Sequence, residues 1–129
     1  MSIMNREFIK AINSGLCVVI VGSGPSNEMG LPTWNEIASR ATDSMEKDKH
    51  KDAIFRCKYL LQDKKYPEVF SECEKVLGHK YLVSLVRDAY TCTAANGRSY
   101  QFLSSWPFLM YLTTNFDDCL EHHLRQAGV

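Results

Sequence analysis

The spacing of apolar residues changes several times along the chain, and each change marks an element. Phe8, Ile9 and Ile12 fall on one helical face, and Asn13-Ser14-Gly15 stops that helix. Leu16 to Val21 is a continuous run rich in β-branched residues that ends at Gly22, the pattern of a strand covered on both faces in a parallel sheet. From Trp34 the period lengthens: Trp34, Ile37, Ala38, Ala41 and Met45 recur as on an amphipathic helix. A second stripe, Ala53, Ile54, Cys57, Leu60 and Leu61, is closed by Pro67 shortly beyond. A third, Val69, Phe70, Cys73, Val76 and Leu77, meets Gly78, and a fourth, Tyr81, Leu82, Leu85, Val86 and Ala89, fades into the turn Ala95-Asn96-Gly97-Arg98. Tyr100, Phe102, Leu103 and Trp106 predict one more helical segment before Pro107, and Phe108 to Thr113 reads as a second buried strand. Cys119, Leu120, His123 and Leu124 then restore helical spacing. Asp117 and Asp118 fall in the first turn, where the helix dipole favours negative charge.

The order helix, strand, several helices, strand, helix predicts the α/β class. The expected form is a Rossmann-like parallel sheet with helices on both faces and a helical insertion, about 36–105, between its first two strands. A length of 129 residues suits a single domain over 1–129. Two strands do not make a stable parallel sheet by themselves, because edges and faces stay open. The expectation is therefore an incomplete domain, the N-terminal part of a longer one, whose sheet is completed by further protein segments or by an oligomer.

Composition narrows the function classes. Hydrophobic residues at 45% and charged residues at 23% suit a folded globular chain. Fifteen basic residues balance fifteen acidic ones, so the overall charge gives no case for a nucleic-acid partner. The lysines between Lys47 and Lys51 alternate with Asp48 and His50 and read as a solvated helix end or turn. Five scattered cysteines, with no paired spacing, support neither a disulfide framework nor a metal site, and a reducing cytoplasm is the expected setting. The start of the chain lacks a signal-peptide pattern, and the run Leu16–Val21 is too short to span a bilayer. Neither secretion nor a membrane is expected.

Two polar turns carry the candidate chemistry. Gly22-Ser23-Gly24-Pro25-Ser26 follows the first strand and precedes a helix. Glycines at a strand exit let the backbone approach a ligand, and free N–H groups with the next helix start favour a phosphate. The dinucleotide fingerprint is incomplete, because Asn27 stands at its third glycine, and a glycine turn can equally serve chain reversal alone. Gly30-Leu31-Pro32-Thr33-Trp34 comes next, with Trp34 read as an apolar anchor beside the loop or a stacking surface for its ligand. Thr113-Thr114-Asn115-Phe116-Asp117-Asp118 leaves the second strand. Ligands of open α/β sheets sit outside the carboxyl ends of the strands, so the two turns should share one crevice. Asn115 can hold a ribose hydroxyl or a water, and Asp117 can accept hydrogen bonds or offset developing positive charge. Helix capping by Thr114 or Asn115 would explain the same residue types.

These residues, in this order, resemble the sirtuin family: a glycine-x-glycine-x-serine loop with a following glycine-x-proline segment, then a threonine-x-asparagine-x-aspartate turn. Thr114, Trp34, the run Trp106-Pro107-Phe108 and Leu120-Glu121 are closer to the bacterial NAD-hydrolase branch than to the deacetylases, whose zinc ribbon is absent. The resemblance implies that Gly22, Ser23, Gly24 and Ser26 line the NAD phosphates and adjoining ribose, with Pro32, Trp34 and Thr114 completing the binding set. It implies that Asn115 acts at the nicotinamide ribose and that Asp117 supports that pocket. NAD would be the substrate, cleaved to nicotinamide and ADP-ribose in antiphage defence, with no metal. Asn35 stands where sirtuins carry an arginine, and the family's catalytic histidine is expected on a later segment. His122 and His123 are the local candidates for its role. A catalytically incomplete NAD or ADP-ribose binding module acting through partner chains, and an NAD-dependent protein deacylase, are the alternatives.

Overall fold

A computed structural model describes residues 6–92 and 97–129, so the expected turn at Ala95 and Asn96 lies outside the described residues. The elements are α1 (Arg6–Asn13), β1 (Val18–Val21), α2 (Gly24–Glu28), α3 (Trp34–Asp43), α4 (Lys51–Gln62), α5 (Tyr66–Leu77), α6 (His79–Ala89), α7 (Arg98–Ser105), β2 (Met110–Thr113) and α8 (Cys119–Gln126). This is a mostly helical α/β chain. It divides into two compact units, Met1–Leu31 with Cys92–Val129, and Pro32–Thr91.

In the first unit β1 and β2 pair in parallel, Val18 opposite Met110 through Val21 opposite Thr113. The pairing starts one residue earlier, where the Leu109 N–H donates to the Cys17 carbonyl at 2.8 Å. A parallel partner needs a long crossover connection, and the chain makes one between these two strands. On β2, Tyr111 donates its hydroxyl to the carbonyls of Leu103 and Trp106, both at 2.9 Å, and so ties the end of α7 to the strand. Phe108 packs edge-on against the same tyrosine ring, with centroids 5.5 Å apart.

Both strands are shorter than their apolar runs, and the expected cover on both faces is absent among the described residues. Val18 (48% exposed) and Ile20 (72%) share a bare face with Met110 (50%) and Leu112 (46%). Two strands give only one packed side, because side chains alternate across the sheet. A second difference lies at the glycine turn, which is not all loop: Gly24 opens the short helix α2, with Pro25 in its first turn. Proline there has the fixed φ a helix start requires and loses no needed N–H. Pro67 behaves in the same way. It sits in the first turn of α5 rather than merely closing α4.

The second unit is helical and holds its own core. Ala38, Ala41 and Met45, from α3 and the turn after it, bury against Ala53 and Cys57 of α4, Val69 and Cys73 of α5, and Leu82 of α6. Small residues at the centre let the helices approach, and larger ones such as Phe70, Leu77 and Leu85 pack around them. Thr33 and Glu36 close the start of α3 reciprocally. The Glu36 N–H donates to Thr33 Oγ1 at 3.2 Å, and the Thr33 N–H donates to Glu36 Oε2 at 2.6 Å. Trp34 begins this helix and meets Phe70 edge-on, with centroids 6.1 Å apart. Gly78, at φ +86°, separates α5 from α6 in a conformation other residues adopt only with strain.

Burial pushes the thiols of Cys57 and Cys73 above the ordinary range, Cys73 to about 12. An unfolded chain ionises them above about pH 8.5. The folded chain keeps them neutral, so their contribution is complete below that pH and is lost as pH rises toward the folded value. Urea unfolding between about pH 8 and about pH 10.5 should therefore show stability falling by up to about 1.4 kcal/mol per pH unit for each thiol. Replacing both by alanine should flatten that part of the profile; an equally steep fall in the double variant would count against it.

Candidate functional site

In-register parallel pairing places the two strand exits side by side, so Gly22 and Thr114 begin adjacent turns. Thr113 Oγ1 fixes both: its hydroxyl donates to the Val21 carbonyl at 3.0 Å, and its oxygen accepts the Asn115 N–H at 3.0 Å. The Asn115 carboxamide then reaches across. Its Nδ2 donates to the Gly22 carbonyl at 2.9 Å and lies 3.4 Å from Ser26 Oγ and 3.3 Å from the Tyr100 hydroxyl. The expected meeting of the two turns is present.

Beneath them is a buried polar cluster. Ser26 Oγ donates to Asp117 Oδ2 at 2.8 Å and lies 2.5 Å from the Tyr100 hydroxyl. Asp117 Oδ1 accepts the Cys119 N–H at 3.0 Å, at the start of α8. Ser26, Asp117 and Tyr100 are all buried, Tyr100 completely. Burial holds the Tyr100 phenol above its usual pKa, partly offset by its bond to Ser26, so the hydroxyl stays a donor. Burial also raises the Cys119 thiol strongly, which makes it an inert neighbour rather than a nucleophile.

Capping is therefore not the work of Asn115 or Thr114. Asn115 spends its side-chain nitrogen on the opposite turn, Thr114 is exposed, and the carboxylate two residues before Cys119 takes the free N–H at the start of α8. Ser23 caps α2 by position, without a side-chain bond. Pro32 and Trp34 belong to the second unit, where Trp34 is half-exposed and packs on Phe70.

His123 faces the core, as its spacing predicts, and both ring nitrogens are committed. Nδ1 lies 2.7 Å from the Cys119 carbonyl, which can only accept, so Nδ1 carries the proton. Nε2 accepts the Gly97 N–H at 3.1 Å. The ring stacks on Tyr100 with centroids 5.0 Å apart. This neutral, saturated imidazole braces Tyr100 and has no nitrogen left for proton transfer to a ligand. A Cβ on Gly97 would lie 2.8 Å from Met29 Cγ and Sδ and 3.2 Å from Tyr100, so a larger residue there would have to displace the Met29 side chain.

Gly22 and Gly24 are different. Neither has a positive φ, and a Cβ on either would meet no atom within 4 Å. The chain's own packing does not demand glycine at these two positions.

Tyr100 is the member of the site that sequence reasoning missed, and the pattern places Thr113 in the turn without assigning it a role. Tyr100 reads as one more apolar residue of an amphipathic helix, and its partners lie far away in the chain. The signal that was available is the hydroxyl itself, which a tyrosine buried at a core position has to satisfy. Among the described residues no group of three or more acidic, histidine or cysteine side chains is arranged to hold a metal ion.

Removing the Asp117 carboxylate takes away the acceptor of both the Ser26 hydroxyl and the Cys119 N–H in the interior. Asp117→Ala should cost about 2–4 kcal/mol of unfolding free energy by urea titration; a loss below about 0.5 kcal/mol would show that this carboxylate does not hold the turn.

The chain is similar to the NAD(+) hydrolase ThsA of Cytobacillus dafuensis, at 26% identity over 128 residues, which covers 98% of this chain and 23% of that protein. It thus spans less than a quarter of the length of the curated relative it matches. No family model and no solved structure matches.

Proposed function

We propose that the crevice between the Gly22 and Asn115 turns binds NAD, and that the chain is part of a sirtuin-like, Rossmann-like domain that cleaves NAD to nicotinamide and ADP-ribose in antiphage defence. The observation that carries this reading is the pair of glycines. Gly22 and Gly24 stand at the exit of β1, beside Asn115, and neither backbone conformation nor packing within the chain requires them. A ligand that approaches the backbone closely does require them. The first-turn N–H groups of Gly24 and Ser26 have no carbonyl four residues back in α2, and such groups suit a phosphate. Asn27 of the same helix buries its Oδ1 without a donor among the described residues, an acceptor that a ligand hydroxyl or amide can satisfy. The similarity to an NAD(+) hydrolase over nearly the whole of this chain supports the same ligand.

Hydrolysis adds water across the N-glycosidic bond: nicotinamide leaves with the bonding electrons, the water oxygen joins the ribose carbon, and one proton is released. The transition state is oxocarbenium-like and needs orientation and charge stabilisation more than a strong nucleophile. Asn115 offers the amide that orients a ribose hydroxyl or the water. Asp117, with both oxygens engaged by Ser26 and Cys119, holds the turn rather than the proton. Ser23 and Thr114 complete the binding set on the sirtuin resemblance. The bare sheet face of Val18, Ile20, Met110 and Leu112 suits further segments or subunits that complete the domain.

One observation favours the second reading, a binding module that senses NAD or ADP-ribose without cleaving it. In the buried cluster both ring nitrogens of His123 and both carboxylate oxygens of Asp117 are already hydrogen-bonded, so neither points a free base at a ligand.

Nicotinamide release, measured on this chain and on any longer polypeptide that contains it, separates the two. The hydrolase reading expects release that Asn115→Ala lowers about a hundredfold; NAD binding without release by either form leaves the sensor. Gly22→Ala and Gly24→Ala test the crevice itself. Each should leave the unfolding free energy from urea titration nearly unchanged, within about 0.5 kcal/mol, and weaken NAD binding by about tenfold or more. Unaltered NAD affinity in both would remove the glycine argument.

A further inference from the structure

We propose that Tyr100 is the positioning residue of this site, its hydroxyl setting which end of the Asn115 carboxamide faces the ligand. The inference rests on the reading of the crevice as an NAD site, but its geometry does not.

Proton counting directs the chain of bonds. Ser26 Oγ carries one proton, and the Asp117 carboxylate at 2.8 Å takes it. The contact between Ser26 and Tyr100 therefore uses the phenolic proton, and the bonds run from Tyr100 to Ser26 to Asp117. With its proton spent, the Tyr100 oxygen can only accept, and it faces Asn115 Nδ2 at 3.3 Å. Ser26 Oγ, 3.4 Å from the same nitrogen, is likewise left as an acceptor. The Gly22 carbonyl on the other side also only accepts. Three acceptors thus surround the amide nitrogen, and a flipped carboxamide would set its oxygen against all of them.

Asn115 Oδ1 is consequently turned away from the cluster, with no hydrogen bond among the described residues, and is the acceptor the site presents. It suits a donor such as a ribose hydroxyl or a water. An aspartate at 115 would bring a carboxylate oxygen against the Gly22 carbonyl, so the acceptor set demands an amide. His123 stacked on the Tyr100 ring, and Gly97 packed beside it, hold the phenol in place.

Tyr100→Phe keeps the ring and its stacking partner and removes only the hydroxyl. In the labelled protein, the Asn115 side-chain NH2 resonances should shift and exchange with solvent several-fold faster than in wild type. Nicotinamide release should fall about tenfold in kcat with little change in KM, and adding Tyr100→Phe to Asn115→Ala should cost nothing further. Unchanged Asn115 NH2 resonances, or losses that multiply in the double variant, would overturn the proposal. Ser26→Ala, which removes the acceptor of the phenolic proton, should also shift the Asn115 NH2 resonances and decides the matter if the phenylalanine variant does not fold. If these resonances respond as expected while wild type releases no nicotinamide, the positioning role stands and the hydrolase reading fails.

Discussion

Everything at the candidate site depends on the parallel, in-register pairing of Val18–Val21 with Met110–Thr113. Parallel strands leave the sheet in the same direction, so turns separated by some ninety residues of chain emerge as neighbours. Thr113 makes the coupling specific. It donates across to the Val21 carbonyl and accepts from Asn115, so the end of one strand sets the height of the other's turn. A shift of one residue would break the bond from Thr113 to Val21 and turn the packed side chains toward solvent.

The polar cluster beneath the turns would be costly in a dry interior if any member lacked a partner. Ser26, Asp117, Tyr100 and His123 avoid that by sharing bonds: each group that donates does so to a group with spare acceptor capacity. Such a set specifies one arrangement, because a rotated hydroxyl or amide would place donor against donor or acceptor against acceptor. The same saturation limits its chemistry. A cluster with every proton assigned holds its side chains in place and transfers protons poorly.

The helical unit follows a different logic. Its core of Ala38, Ala41, Cys57, Val69 and Cys73 is apolar and closely packed, and the buried Thr42 hydroxyl beside it donates to the Ala38 carbonyl of its own helix. Its cysteines act there as small hydrophobes, held protonated by burial.

Helix positions were legible from the sequence because three- and four-residue spacing reports which face of a local segment is buried, and α3 to α6 follow their stripes closely. The two strand exits were legible for a similar reason, since an apolar run ending in glycine or in a threonine–asparagine turn is a local signal. Cover of the sheet was not, because an apolar run states what a strand can bury and not whether another layer is there; Ile20 and Leu112 are exposed despite their runs. Nor was α2 visible, a helix too short to show a period. The sequence by itself determined the two polar turns, their glycines and Asn115. Only the tertiary structure brought in Tyr100, set the role of Thr113, turned the Asn115 amide and engaged both nitrogens of His123, because each of those outcomes depends on hydrogen-bond partners distant in the chain, which no local pattern records.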